Sequence, residues 1–123
     1  MTCPKCRAPM ESVRYAEVEV ERCTGCGGLW FDLLEHEDLK QVAGSEAIDT
    51  GDPEVGRRND GVGPVHCPVD GVPLTRMVHA RQRHLWYEMC PVCHGVFFDA
   101  GEFSDFKTES FSDLWKPRRP RPL

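Results

Sequence analysis

The chain has 123 residues, 40% of them hydrophobic and 28% charged, with a formal net charge of −5 and seven cysteines. No apolar run approaches the ~20 residues of a membrane span, and an acidic body is a poor match for a nucleic-acid backbone. The cysteines are odd in number, come mostly in C-x-x-C pairs and begin at residue 3, which speaks against a secreted disulfide scaffold and leads us to expect a soluble, cytoplasmic metal-binding protein.

In chain order, Cys3-Pro-Lys-Cys6 opens the sequence, and sixteen residues separate it from Cys23-Thr-Gly-Cys26. Between them Val18-Glu19-Val20-Glu21 alternates with period two, the pattern of a half-buried strand, and a turn is expected near residues 15–17. Leu29-Trp30-Phe31 then reads as a short apolar strand. Asp32 is a good N-cap and Glu35 lies three residues on, a capping box that starts a helix running through Leu39 toward Val42 and stopping near Gly44. Residues 44–64 hold five glycines, two prolines and seven charged side chains, and read as a flexible linker.

The same order then repeats. Cys67-Pro-Val-Asp70 precedes Cys90-Pro-Val-Cys93 by nineteen residues, with a turn expected near residues 80–83 and alternation at Leu85, Tyr87 and Met89. An offset of 67 superposes Cys23 on Cys90, Cys26 on Cys93, Leu29-Trp30-Phe31-Asp32 on Val96-Phe97-Phe98-Asp99, and Glu35 on Glu102; the first half-sites superpose at 64. The second helix reads as amphipathic over 99–115, with a break near Ser110 as the competing reading, and Pro117 ends it. Residues 117–123 form a basic, proline-rich tail expected to be extended. The expected organisation is a first unit over 1–43, a linker over 44–64, a second unit over 65–116 and the tail.

Units of some 40 residues rarely bury enough apolar surface to fold unaided. A structural zinc site contributes on the order of 10–16 kcal/mol to folding. C-x2-C-x16-C-x2-C lies within zinc-site spacing, so Cys3, Cys6, Cys23 and Cys26 are expected to hold one zinc ion. Cys67, Asp70, Cys90 and Cys93 are expected to hold a second, with Asp70 as fourth ligand, since carboxylate oxygen binds zinc. The alternative makes Asp70 a turn residue before Gly71 and gives the fourth position to His66, His94 or water. His36, His79 and His84 lack a partner set and read as solvated. The fold class is therefore a small, metal-stabilised α+β protein: tandem zinc ribbons, each a β-hairpin plus a short strand followed by a helix.

The string C-P-x-C, a hairpin, then C-x-x-C-G-G-x-W-[aromatic]-D-x-x-E resembles the TFIIB-type transcription-factor zinc-finger family of zinc ribbons. The likeness covers residues 3–40 well and 67–106 less closely, with Asp70, His94 and Phe97 departing from the pattern. It implies zinc on the cysteines named above and a role in transcription.

Charge bears on partners. Seven thiolates and two zinc ions take the formal charge from −5 to about −8. Only residues 110–123 are basic, through Lys116, Arg118, Arg119 and Arg121. Two readings follow. One is a non-enzymatic module that presents itself to a protein partner, with Trp86 at an interface or on the second helix, and with the helix bearing Phe103, Phe106, Phe111 and Trp115 either covering the other ribbon or forming a homodimer. The other binds nucleic acid through Arg118, Arg119, Arg121 and the hairpin tip near Arg76, Arg81 and Arg83. A zinc enzyme with an open second site stands third.

Overall fold

The computed structural model describes residues 1–32, 35–40, 42–59, 63, 65–78, 86–104 and 106. The elements in order are β1 (Met10–Tyr15), β2 (Val18–Cys23), β3 (Leu29–Phe31), α1 (Glu35–Lys40), a 3-10 helix (Ser45–Ile48), α2 (Pro53–Asn59), β4 (Thr75–Val78), β5 (Trp86–Met89) and β6 (Val96–Phe98). Residues 102–104 and 106 are helical.

The hairpin β1–β2 closes through Ala16 and Glu17, both at positive φ (50° and 70°), with Tyr15 opposite Val18. Two positive-φ residues mark the hairpin turn whose twist matches that of the strands. One arm of each capping box forms: the Asp32 amide donates to Glu35 Oε1 at 3.1 Å and the Asp99 amide to Glu102 Oε1 at 3.0 Å, while the Glu35 and Glu102 amides donate to the backbone carbonyls of Asp32 and Asp99 at 2.8 Å and 3.0 Å.

The repeat is written into the pairing. Glu21 faces Trp30 and Arg22 faces Leu29 in the first unit; Glu88 faces Phe97 and Met89 faces Val96 in the second. The bridges Thr2–Pro9 and His66–Pro73 correspond at the offset of 64. All six strands form one antiparallel sheet in the order β1-β2-β3-β6-β5-β4, so the two ribbons join edge to edge.

That junction is self-complementary. Leu29 pairs with Phe98, Trp30 with Phe97 and Phe31 with Val96. Since Leu29 is equivalent to Val96, Trp30 to Phe97 and Phe31 to Phe98, a local twofold axis passes through the Trp30–Phe97 pair, as in an isologous dimer interface. The two glycines before these strands make the approach possible. A Cβ on Gly28 would lie 2.2 Å from Phe97 Cζ, and one on Gly95 2.2 Å from Trp30 Cζ2.

Both faces of β3 and β6 are covered, which is why these strands are apolar at every position instead of alternating. One face packs Leu29, Phe31, Val96 and Phe98 with Val20, Leu39, Ile48, Phe103 and Phe106. The other packs Trp30 and Phe97 among the buried cysteines. Burial of each large ring contributes about 1.5–3 kcal/mol, and Trp30, Phe31, Phe97 and Phe98 are fully buried.

Two expectations need correction. The described part of 44–64 is folded: Ser45 and Ile48 are buried, and Asp49 accepts the amides of Gly101 (2.9 Å) and Ser104 (3.0 Å) at the start of the second-unit helix. Its few apolar side chains suffice because the segment lies across both units instead of building its own core. His36 is buried, packed on Phe31, Phe98 and Phe106 with ring centroids 6.0–6.3 Å away. Helix α1 turns this ring toward the aromatic layer, which no ligand pattern signals. Trp86 is half-buried, with the Arg76 guanidinium 4.6 Å from its ring centroid. Residues 80–83, 107–116 and the tail, including Arg81, Arg83, Phe111 and Trp115, lie outside the described residues.

Candidate metal centres

Each C-x-x-C or C-x-x-D turn is built alike. The residue after the second donor closes the turn by donating its backbone N–H to the first donor's carbonyl: Arg7 to Cys3 (3.1 Å), Gly27 to Cys23 (3.2 Å), Gly71 to Cys67 (2.9 Å) and His94 to Cys90 (3.0 Å). All four closing residues have positive φ, from 64° to 79°. Two are glycine, which adopts this region freely; Arg7 and His94 hold it against their Cβ.

The turns aim backbone amides at sulfur. Lys5 and Cys6 donate to Cys3 Sγ, Gly25 and Cys26 to Cys23 Sγ, Val69 and Asp70 to Cys67 Sγ, and Val92 and Cys93 to Cys90 Sγ, at 3.2–3.5 Å. Such bonds favour thiolate over thiol. In the first cluster the Cys3 thiol is pulled down to about 5, chiefly by the hydrogen bond from Cys26 and then against burial by these amides. Cys26 moves up, because it donates that bond and because it is buried. In the second, burial opposes ionisation of Cys90, yet the amides of Cys93 and Val92 bring it below the usual thiol range. Burial first, and then its bonds to the other donors, push Cys93 up to about 12.

Hairpin geometry gathers the donors. Cys3, Cys6, Cys23 and Cys26 form one group and Cys67, Asp70, Cys90 and Cys93 another, every donor atom within 4.8 Å of the rest of its group. Zinc–sulfur bonds of about 2.3 Å set neighbouring sulfurs about 3.8 Å apart in a tetrahedron, and a carboxylate oxygen nearer 3.5 Å from sulfur. The structure shows Cys3–Cys26 at 3.7 Å, Cys6–Cys23 at 3.3 Å and Cys67–Cys93 at 3.8 Å. Asp70 Oδ2 lies 3.4 Å from Cys90 Sγ and 3.9 Å from Cys67 Sγ. The donor sets and spacings fit two tetrahedral metal sites, with Asp70, not His66 or His94, in the second group.

One functional element escaped the sequence reading. Lys5, inside the first turn, has a side chain with 0% exposure. Its Nζ sits 2.7 Å from Asp99 Oδ2, 3.0 Å from Glu88 Oε2 and 3.0 Å from the Asn59 carbonyl, and 5.6 Å from the Phe97 ring centroid. Burial alone would lower the Lys5 pKa, but Asp99 and Glu88 raise it. Burial pushes Glu88 up to about 7 against the pull of Lys5. The equivalent of Lys5 in the second unit is Val69, 54% exposed, so this ionic clamp exists on one side of the twofold axis.

The six-stranded antiparallel sheet and the two four-donor clusters make a small α+β fold of the kind expected for tandem zinc ribbons. A family described as transcription factor zinc-finger matches residues 2–42. The second copy lies beyond that match and rests on the shared strand pairing and donor geometry. No curated protein and no solved structure matches the chain. No helix among the described residues is long and apolar enough to cross a membrane.

Proposed function

We propose that this protein is a non-enzymatic interaction module that binds two structural zinc ions and presents its second ribbon to a protein partner. The observation that carries the reading is that the second unit exposes aliphatic side chains at positions where the first unit has none. Val69, Val78 and Val92 are 54%, 39% and 62% exposed, where the first unit has Lys5, Arg14 and Gly25. Aliphatic residues around a rigid metal turn suit a protein surface. The family's description supports a partner in the transcription apparatus. The closing carboxylate of Asp70 supports a structural second ion over a catalytic one, which keeps an open position.

The competing reading is nucleic-acid binding through Arg118, Arg119 and Arg121. Fluorescence anisotropy of the zinc-loaded protein with DNA and RNA at low and high salt separates the two. Binding tighter than about 1 µM that weakens steeply with salt would overturn the protein-partner reading. A photo-crosslinking residue at Val92 should capture one protein species in cells, and Val69→Glu should abolish the capture while both zinc ions remain.

A further inference from the structure

Lys5 belongs to the first donor cluster by its backbone and to the second by its side chain. It lies between Cys3 and Cys6, its amide donates to Cys3 Sγ at 3.4 Å, and Arg7 closes its turn at a φ of 68°. From there the side chain crosses the junction. Its Nζ meets Glu88 Oε2 at 3.0 Å and Asp99 Oδ2 at 2.7 Å. Glu88 lies on β5, two residues before Cys90, and Asp99 directly follows β6. These are the two strands that hold the Cys90–Cys93 turn between them, paired through Glu88–Phe97 and Met89–Val96. One ammonium therefore ties both arms of that turn.

The segment between the units brings a third acceptor to the same place. Gly51 and Gly56 approach Ala100 so closely that a Cβ would meet its Cβ at 2.7 Å and its carbonyl oxygen at 2.0 Å, respectively. Seated this way, α2 ends with the Asn59 carbonyl 3.0 Å from Nζ.

The link is conditional on a closed first turn. Residues 3–7 are held by short-range bonds, Cys3 amide to Ala8 carbonyl (2.9 Å) and Arg7 amide to Cys3 carbonyl (3.1 Å), and Arg7 keeps its positive φ against its Cβ. Four thiolates gathered on one ion fix such a turn, because metal binding and folding share one free energy. When the turn opens, the ammonium leaves with it. Glu88 and Asp99, 3% and 0% exposed, then lose that cation while buried, a costly state. Relief requires the β5–β6 arm to shift toward water, and Cys90 and Cys93 shift with it. Trp30 and Phe97 also pack among cysteines of both clusters, but apolar contact carries no such penalty. At the position of Lys5 the second unit has Val69, uncharged and 54% exposed, so the link runs through the first turn.

We propose that Lys5 is a positioning residue for the second metal centre, and that through it the two centres load cooperatively. Closing the first turn on its ion sets Lys5, and Lys5 holds the arms that present Cys90 and Cys93. Linkage makes the effect reciprocal, so filling the second centre also raises affinity at the first. The inference rests on both clusters holding zinc, as in the function proposed above.

Site-resolved zinc titration of the full-length protein in chelator-buffered solution tests this. In NMR spectra the Gly25 and Cys26 amides, which donate to Cys23 Sγ, report the first centre, and the Val92 and Cys93 amides, which donate to Cys90 Sγ, the second. Asp70→Ala removes the exposed donor of the second cluster. It should weaken zinc binding at the first centre by about 5–150-fold, the usual range of coupling between sites. In Lys5→Met the same substitution should change first-centre affinity by less than about twofold, the margin within which independent sites add. Lys5→Met with Glu88→Gln and Asp99→Asn leaves no buried charge unpaired, retains a good N-cap, and keeps the test readable should Lys5→Met unfold; it should show the same loss of coupling. A purely structural Lys5 would weaken both centres and leave the effect of Asp70→Ala intact, and that outcome overturns the proposal. So does a first centre indifferent to Asp70→Ala while Lys5 is present. Two ions bound independently would remove the coupling and leave the two-zinc reading standing, whereas fewer than two in the wild-type protein would remove both.

Discussion

Replacing Lys5 with methionine should cost about 3–5 kcal/mol, the penalty for leaving buried charges without their partner. Methionine matches the length of the lysine stem, so the cavity contribution is small and the loss is electrostatic. The structure places three oxygens within 3.0 Å of a fully buried Nζ, and two of them belong to carboxylates of residues that are themselves 3% and 0% exposed. Arg76, 3.8 Å from Glu88 and 38% exposed, is too solvated to replace the ammonium. Urea denaturation with excess zinc, followed by circular dichroism, measures the loss. The pH dependence supplies a second check. With Lys5 gone, Glu88, already pushed up by burial, should have a folded-state pKa still further above its unfolded one, so the folded form binds more protons. Stability of the variant should then rise as pH falls from about 8 toward about 6, the window in which a carboxyl pushed to about 7 or higher takes up its proton. Glu88→Gln, which leaves Lys5 and Asp99 as a balanced pair, should be near neutral at pH 7. A loss below about 1 kcal/mol for Lys5→Met, or a variant whose stability falls over that pH window, would refute the clamp.

Three further outcomes follow from other parts of the molecule. Gly28→Ala places a Cβ against the Phe97 ring and should destabilise by about 1–3 kcal/mol or more in the same titration; combining it with Phe97→Leu should recover part of the loss, and strict additivity would disprove the contact. Ala16→Asn with Glu17→Gly suits the positive φ of both turn residues and should raise stability by about 1–2 kcal/mol, read as a higher denaturation midpoint. His94→Gly, which relieves a φ of 64°, should stabilise modestly with both zinc ions retained in native mass spectrometry; loss of an ion would make His94 a ligand.

The donor set, both hairpins and the Glu35 and Glu102 arms of the capping boxes were legible in the sequence, because each depends on spacing within some 20 residues. What escaped depends on contacts between units. Lys5 lies between two cysteines and reads as a solvated turn residue, since its partners Glu88 and Asp99 are far away in the chain. The segment holding Asp49 and Gly56 reads as a linker because glycine and charge dominate it, yet glycine is what lets it lie flat on Ala100 and aspartate is what caps a helix of the other unit. The junction did leave a signal. Leu29-Trp30-Phe31 and Val96-Phe97-Phe98 do not alternate, and strands apolar at every position are covered on both faces. With a glycine before each triplet, that pattern marks two edges that pair with one another.

Metal content tests the central claim most directly. Native mass spectrometry of the purified protein, with Asp70→Ala beside it under a mild chelator challenge, should show two zinc ions per wild-type chain and one in the variant. Site one keeps its four sulfurs, whereas site two loses the oxygen that lies 3.4 Å from Cys90 Sγ. One zinc or none in the wild-type protein would contradict the account of two four-donor centres, and two retained ions in Asp70→Ala would remove Asp70 from the second.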